Sequence, residues 1–216
     1  MIEVVSENGS DLLRAFWLTI QLAIYSGIGS LLLGTILVSM RVGPVSSLAR
    51  FAAGFVTIVR NTPLLVVCII IFSGLPQLGL DGPFMVKGVL AVTVYTGPFV
   101  CEALRSGINS VPLGQAEAAR SIGLDFRGTM TQVVLPQAYA ASIPPMVSVL
   151  IAMTKNTSVV GAFGLIEAFA RTRLLLNDNA DQRIEIFMVV ALGYIILVEL
   201  ISAGGYLAER KVRTSR

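Results

Sequence analysis

The chain has 216 residues, of which 55% are hydrophobic and only 13% are charged. About a quarter of the residues in an average globular domain are charged, so roughly half of the usual charge is missing. No charged residue occurs between Ala15 and Met40 or between Asn61 and Leu80. Apolar runs of about 18 residues or more can cross a hydrocarbon core of about 30 Å. The composition therefore excludes an ordinary soluble domain and predicts an all-α integral membrane protein.

Residue types that are absent or rare exclude several kinds of chemistry. The chain has no histidine, which excludes histidine-based acid–base catalysis and histidine metal ligation. Cys68 and Cys101 lie in apolar stretches and indicate neither a disulfide scaffold nor a zinc site. No G-x-x-x-x-G-K-[ST] loop is present to hold nucleotide phosphates. We therefore expect no enzyme activity, metal or cofactor in this chain, and we assign the net charge of +3 to inner-face arginines rather than to a nucleic-acid partner.

Five membrane-spanning helices are predicted, at residues 16–40, 62–76, 84–104, 142–160 and 186–208. In the first of them, Ser26, Ser30 and Gly34 recur every fourth residue, which favours close packing against another helix. That run is too long for the apolar part of a signal peptide and has no basic segment before it. We therefore expect it to remain in the protein as an anchor. A short amphipathic connector is expected at 45–59.

Polar residues near the expected inner face are assigned structural roles. Thr62 is expected to cap the second span, and Pro63 is expected to lie in its first turn. Arg60 could snorkel to the membrane surface or order the broken backbone beside it, and snorkelling is favoured because the break is expected near the inner face. Glu102 and Arg105 are three residues apart on the third span, so an ion pair within the helix is expected.

Residues 108–141 form the longest polar segment on the tail side and are expected to contain two short helices. Ser110 is expected to cap the first helix, and Gly123 supplies the left-handed residue that ends it. Asp125 is expected to cap the second helix, which Pro136 interrupts. By spacing alone, this loop is equally consistent with a docking helix for another protein and with an ordinary helical hairpin.

Lysine and arginine residues are distributed unequally between the two sides of this topology. Ten lie on the side of the C-terminal tail: Arg41, Arg50, Arg60, Arg105, Arg120, Arg127, Arg210, Lys211, Arg213 and Arg216. Five lie on the other side: Arg14, Lys87, Arg171, Arg173 and Arg183. Because cytoplasmic loops carry the excess of basic residues, we expect the N-terminus outside and the C-terminus in the cytoplasm. The whole chain, 1–216, is expected to form one transmembrane domain.

The loop at 108–141 also resembles a known motif. Its anchor residues follow a long, gapped order: Glu117, Ala118, Ala119, Gly123, Leu135 and Pro136. This order resembles the EAA loop of ABC importer permeases. The segments RNTPLL at 60–65 and KNTS at 155–158 are similar to motifs of the polar amino acid branch, which serves histidine, glutamate, glutamine or arginine. The segment at 40–44 and its surroundings are similar to actinobacterial glutamate permeases.

The resemblance implies a type I permease subunit of an ATP-driven importer in the bacterial cytoplasmic membrane. The implied partners are a second permease subunit, identical or homologous, two ATPase subunits that bind ATP and Mg, and an extracellular solute-binding protein. The EAA helix would couple this chain to a groove of the ATPase through Glu117, Ala118, Ala119, Arg120, Gly123, Leu135 and Pro136. The implied solute is a polar amino acid, with glutamate or a relative first among the candidates.

Two ionisable side chains are expected at membrane depth, where charge is costly and often functional. Lys155 is expected roughly 17 Å into the fourth span and Glu199 roughly 21 Å into the fifth, at 1.5 Å per residue. In the functional interpretation, Lys155 binds a substrate carboxylate in the translocation path while its neighbours donate hydrogen bonds; these are Asn156, Thr157 and Ser158. In the alternative, Lys155 pairs with Glu199 to hold two helices together, and a buried structural pair is the favoured role for Glu199.

Two other functional classes remain open. A secondary transporter driven by an ion gradient would be expected to contain internal repeats, and none is visible in the 216 residues. A structural or assembly subunit that carries no solute would tolerate replacement of residues 155–158 but would still depend on Gly123 for complex formation.

Overall fold

The structure, a computed structural model, describes the backbone of residues 2–214 and the side chains of residues 8–179 and 181–212. Arg216 and the side chain of Arg213, which the basic tail was expected to contain, lie outside the described residues. Within these bounds all regular elements are helical. In chain order the α-helices are α1 (Ile2–Val42), α2 (Ser46–Arg60), α3 (Leu64–Ile69), α4 (Leu75–Gln77), α5 (Phe84–Asn109), α6 (Leu113–Ser121), α7 (Phe126–Gly128), α8 (Leu135–Val160), α9 (Ala168–Asp178) and α10 (Arg183–Thr214).

Four stretches of the described chain are long and apolar enough to cross a membrane: Asn8–Val42, Phe84–Asn109, Phe126–Phe163 and Arg183–Val212. The predicted second span differs from them. Helices α3 and α4 together reach only from Leu64 to Gln77, about 21 Å at 1.5 Å per residue. They follow α2 at a bend of 102°, so α2 and α3–α4 provide a fifth span only if the bent pair is counted as one. The all-helical class is confirmed, and the described chain holds four such helices or five.

The sharp bend between α2 and α3 has a local cause. Pro63 precedes α3 with an extended backbone (φ −61°, ψ 140°), and its ring and missing N–H prevent α2 from continuing. The Thr62 hydroxyl donates to the carbonyl oxygen of Ile58 at 2.8 Å, and the Asn61 amide donates to that of Thr57 at 2.8 Å. The prediction that Thr62 caps the second span is therefore wrong, because its hydroxyl completes the preceding helix. The prediction that Pro63 lies in the first turn of the second span is also wrong, because Pro63 is the residue before α3.

The fourth predicted span is part of a much longer helix. A π-helical turn, Thr129–Val134, joins α7 to α8, and the helix then continues to Val160. Pro136 therefore does not interrupt it but lies in the first turn of α8. A widened turn leaves room for the proline ring, which would otherwise clash with the carbonyl four residues earlier. Because α8 begins at Leu135 rather than near Ser142, Lys155 lies twenty residues from the start of the helix and five from its end.

Small residues let α1, α5 and α8 pack closely. Ser26 and Ser30 are fully buried, and a Cβ at Gly34 would collide with Val100 on α5. The predicted close-packing face of the first span therefore contacts α5 of the same chain. Between α5 and α8, a Cβ at Gly107 would overlap the Ala138 carbonyl.

Replacing Gly107 with alanine should destabilise the α5–α8 contact. The new methyl group would collide with the Ser142 hydroxyl, which can rotate away, and with the Ala138 carbonyl, which cannot move without shifting a helix. Overpacking of this kind costs about 1–3 kcal/mol. Thermal unfolding of the detergent-solubilised chain should show a lower midpoint for Gly107→Ala.

The matched control is Gly204→Ala, the same substitution in another long helix. Nothing lies within 4 Å of a Cβ at Gly204, so its midpoint should be unchanged or slightly raised. Equal midpoints for the Gly107 and Gly204 variants would contradict the packing described for α5 and α8.

Candidate functional site

The loop between α5 and α8 contains the helix that the EAA-like motif predicts. Helix α6 ends at Ser121, and Gly123 follows with φ +94°. The Gly123 N–H donates to the Arg120 carbonyl at 3.0 Å, and the Leu124 N–H donates to the Ala119 carbonyl at 3.1 Å. This is the left-handed helix ending that glycine favours, as predicted.

The two predicted caps in this loop have different outcomes. The Asp125 carboxylate accepts a hydrogen bond from the Gly128 N–H at 2.7 Å, which confirms it as the cap of α7. Ser110 does not cap α6, because its hydroxyl donates to the Gly107 carbonyl at 2.7 Å and so completes α5. Pro112, in an extended conformation, is the residue before α6.

The loop exposes several large apolar side chains. Leu113 and Ile122 are each 81% exposed, and Phe126 is 70% exposed. Among the predicted coupling residues only Ala119 is buried, while the others lie at the surface: Glu117, Ala118, Arg120, Gly123, Leu135 and Pro136. Large exposed apolar side chains in one region mark a surface that another protein covers.

A second charged feature lies where α1, α2 and α5 meet. The Glu102 carboxylate pairs with Arg41 through one oxygen, and its other oxygen accepts hydrogen bonds from Arg105 at 2.7 and 3.0 Å. The predicted Glu102–Arg105 pair is confirmed. Arg60 is exposed and one of its guanidinium nitrogens lies 3.7 Å from the Glu102 carboxylate, while its snorkelling to the membrane surface stays a prediction. We call these four residues the Glu102 cluster; its three guanidinium groups and one carboxylate leave two positive charges in excess.

A cavity of about 250 Å³ lies between α5 and α8. Its polar and aromatic lining consists of Tyr95, Thr96, Phe99, Ser148 and Asn156. Ser148 is exposed, so the cavity opens at the surface of this chain. The rings of Tyr95 and Phe99 pack with their centroids 5.4 Å apart, and the Arg60 guanidinium carbon lies 5.3 Å from the Phe99 centroid. The Glu102 cluster therefore adjoins the cavity through Phe99.

The predicted substrate-path residues do not lie together. Asn156 lines the cavity. Thr157 is buried and donates to the Thr154 carbonyl, while the Ser158 hydroxyl donates to the Lys155 carbonyl. Both hydroxyls are thus used within α8, and only the amide of this group faces the cavity.

Lys155 and Glu199 do not form the pair that the alternative interpretation required. Both side chains are exposed, and within the described part of the chain neither takes part in a hydrogen bond or ion pair. The favoured role of Glu199 in a buried structural pair is therefore wrong. Lys155 extends from the surface of this chain next to the cavity residue Asn156.

A buried carboxylate that the sequence reasoning missed lies between α8 and α9. Glu167 is fully buried, and its oxygens accept hydrogen bonds from the backbone N–H groups of Phe169 at 3.0 Å and Ala170 at 2.9 Å. They also accept from the Tyr194 hydroxyl at 2.8 Å and the Thr19 hydroxyl at 3.3 Å. One side chain thus ties together α1, α9 and α10.

The surroundings of Glu167 explain how a carboxylate is accommodated there. A Cβ at Gly161 would overlap one of its oxygens, so glycine is required beside it. Glu167 lies between two of the long apolar helices and outside both. Burial raises the pKa of Glu167, and the hydrogen bonds from Phe169, Ala170, Tyr194 and Thr19 oppose that rise.

Family comparison agrees with this architecture. The family described as "binding-protein-dependent transport system inner membrane component" matches residues 16–214. The chain belongs to this family. As an inner membrane component, it is a multi-pass membrane protein and a transport subunit rather than an enzyme.

Relatives of this inner membrane component include amino acid permeases. It is 43% identical to the glutamate transport system permease protein GluC of Corynebacterium glutamicum, over 95% of this chain and 96% of the relative. It is 30% identical to the probable glutamine ABC transporter permease protein GlnM of Bacillus subtilis, over 99% of both chains. A crystal structure of an amino acid ABC transporter with histidines superposes with a TM-score of 0.89 at 26% identity, covering 96% of each chain.

The sequence of this inner membrane component contains only weak signals for the Arg41–Glu102 pair and for the Glu167 network, which were not predicted. Arg41 and Glu102 are 61 residues apart, so only their shared position near the inner ends of two spans could have suggested a pair. Glutamate is uncommon as a helix cap, and Glu167 was therefore not recognised at the start of α9. Tyr194 was the one polar signal, since a tyrosine inside an apolar helix usually finds a hydrogen-bond partner.

Replacing Glu167 with glutamine should destabilise the inner membrane component. The amide has only one acceptor oxygen, and its NH₂ group would face N–H and O–H donors that the carboxylate now satisfies. Leaving such donors without an acceptor costs about 1–3 kcal/mol. Thermal unfolding in detergent should show a lower midpoint for Glu167→Gln.

Glu199→Gln is the matched control, because Glu199 is exposed on the same helix as Tyr194. Its midpoint should equal or exceed that of the natural chain. A Glu167 variant as stable as the Glu199 variant would show that the buried network does not hold the three helices together.

Proposed function

We propose that this chain is a permease subunit of an ATP-driven ABC importer that moves a polar amino acid, glutamate or a relative, across the bacterial cytoplasmic membrane. It crosses the membrane five times, with the N-terminus outside and the C-terminus in the cytoplasm, and the bent α2–α4 unit is the second span. One observation carries the proposal. We call residues 108–141 the coupling loop. Its second half is the beginning of the helical stretch from Phe126 to Val160, and the far part of that stretch provides one wall of the cavity.

The coupling loop is proposed to dock on an ATPase subunit. Leu113, Ile122 and Phe126 supply exposed apolar contacts, and Glu117 and Arg120 supply exposed charge. Two ATPase subunits bind ATP and Mg, and their movement is passed to the cavity as a displacement of α8. The residues that carry this coupling are Glu117, Ala118, Ala119, Arg120, Gly123, Leu135 and Pro136.

A second permease subunit, identical or homologous, is proposed to cover the face that carries the cavity and Lys155. A cation on a spanning helix is costly against hydrocarbon and faces protein or water instead. The exposed Lys155 and the polar lining at Ser148 and Asn156 therefore support a water-accessible path between two permease subunits. A solute-binding protein outside the membrane would deliver the amino acid to it.

A polar amino acid fits the cavity by size and chemistry. A volume of about 250 Å³ can hold a molecule of this size. Asn156, Ser148 and Tyr95 supply hydrogen-bonding groups, and the excess positive charge of the Glu102 cluster favours a solute that carries carboxylates. The identity to a glutamate permease supports glutamate among the polar amino acids.

The two alternatives are less well supported. An ion-gradient-driven transporter is not favoured, because the family matched over residues 16–214 works with binding proteins. A subunit that only assembles the complex would have no need for a cavity whose α8 wall is continuous with the coupling loop.

Substitutions at Gly123 test the coupling role. Valine is strained at φ +94°, whereas asparagine tolerates a positive φ. Nothing lies within 4 Å of a Cβ at Gly123, so valine should change the turn without unfolding the chain. In a complex reconstituted with the partner permease, ATPase and binding protein, Gly123→Val should reduce solute-stimulated ATP hydrolysis about fivefold or more.

Gly123→Asn is the matched control and should retain most of that stimulation. Solute-stimulated hydrolysis by the valine variant at the natural level, in a correctly assembled complex, would overturn the proposed role of this loop.

A further inference from the structure

Arg60 is the one guanidinium of the Glu102 cluster that the carboxylate does not hold by a hydrogen bond. Arg41 pairs with one carboxylate oxygen, and Arg105 donates two hydrogen bonds to the other. Arg60 approaches only to 3.7 Å, and its side chain is 42% exposed, compared with 19% for Arg41 and 37% for Arg105. Its N–H donors therefore remain available to another acceptor.

The position of Arg60 is fixed from two directions. Arg60 is the last residue of α2, directly before the 102° bend, and its guanidinium lies 3.7 Å from the Glu102 carboxylate. On the other side the guanidinium lies over the ring of Phe99, 5.3 Å from its centroid, a contact that attracts a cation to the ring face. Phe99 is itself part of the cavity wall.

Arg60 lies behind Phe99, a residue of the cavity wall, and is not itself one of the residues that line the cavity. Helix α5 runs from Tyr95 through Phe99 and Glu102 towards the coupling loop, and Arg60 contacts the last two of these residues. Asn156 lies near the C-terminal end of α8, which is the end away from the coupling loop. An elongated solute would therefore meet the Asn156 amide in the cavity, and a carboxylate that extends past Phe99 towards the coupling loop would meet the Arg60 guanidinium.

We propose that Arg60 binds a carboxylate of the amino acid solute at the coupling-loop end of the cavity. This inference rests on the proposed function and adds the side chain that binds the carboxylate of the solute. A guanidinium presents planar N–H donors that match a carboxylate in a two-point contact, even while one face contacts an aromatic ring. The cluster carries two positive charges in excess, so one carboxylate can bind without leaving an unpaired negative charge.

The test compares Arg60→Met with Arg50→Met in the complete reconstituted importer. Arg50 is an exposed arginine on the same helix, and its side chain donates to the Ser46 carbonyl. ATP-dependent uptake of labelled glutamate and glutamine and assembly of the complex are measured for both variants. Arg60→Met should assemble normally and reduce uptake about tenfold or more, whereas Arg50→Met should match the natural complex.

The two solutes identify the carboxylate. Equal losses for glutamate and glutamine place Arg60 on the α-carboxylate, which both solutes carry, and a loss confined to glutamate places it on the side-chain carboxylate. Natural uptake of both solutes by an assembled Arg60→Met complex would overturn the inference. If that variant fails to assemble, Arg60→Leu, which has no donor and keeps an apolar contact with Phe99, is judged by the same criterion.

The uptake experiment distinguishes a failure of this inference from a failure of the proposed function. If the natural complex shows no ATP-dependent uptake of any polar amino acid, the proposed function fails. If the natural complex transports and the Arg60 variants transport equally well, only the binding role of Arg60 fails.

Discussion

The structure depends on the continuity of one helix between the coupling loop and the cavity. From Phe126 the helix passes through a π-helical turn, accommodates Pro136, and reaches Val160 without a break. A helix is stiff along its axis because each backbone hydrogen bond closes a turn on the next. A force applied at the loop must therefore displace the cavity wall, or bend the helix where its hydrogen-bond ladder is irregular, at the π-helical turn or at Pro144 and Pro145. The loop, the cavity and the α5–α8 contact all follow from this connection.

A second constraint is the cost of burying charge. Glu102 is neutralised by guanidinium groups from three helices, and Glu167 is satisfied by four hydrogen-bond donors. Each carboxylate joins elements that are distant in sequence, which limits how those elements can move apart. Lys155 is different, because it is exposed and has no hydrogen-bond or ion-pair partner in the described part of the chain. A cation in this position implies that the surrounding face is not covered by lipid alone.

Sequence reasoning identified what local chemistry determines and missed what long-range packing determines. The all-helical class, the Gly123 turn, the Asp125 cap and the Glu102–Arg105 pair depend on residues within a few positions of one another. The start of α8 was placed too late, since Pro136 was taken as a break although a helix tolerates proline in its first turn beside a widened turn. The contact of Arg60 with Phe99 was missed because the two residues lie on different helices, α2 and α5. The Glu167 network joins residues up to 149 positions apart, which no local pattern reveals.

The most direct test of the central claim is the energy source of transport. Vesicles would contain this chain with its partner permease, ATPase and binding protein, and labelled glutamate uptake would be measured with and without internal ATP. An ionophore that collapses ion gradients would be added in parallel, and glutamine, arginine and histidine would compete. We expect uptake that requires ATP and survives the ionophore. Uptake that proceeds without ATP and stops with the ionophore would contradict the assignment to an ATP-driven importer.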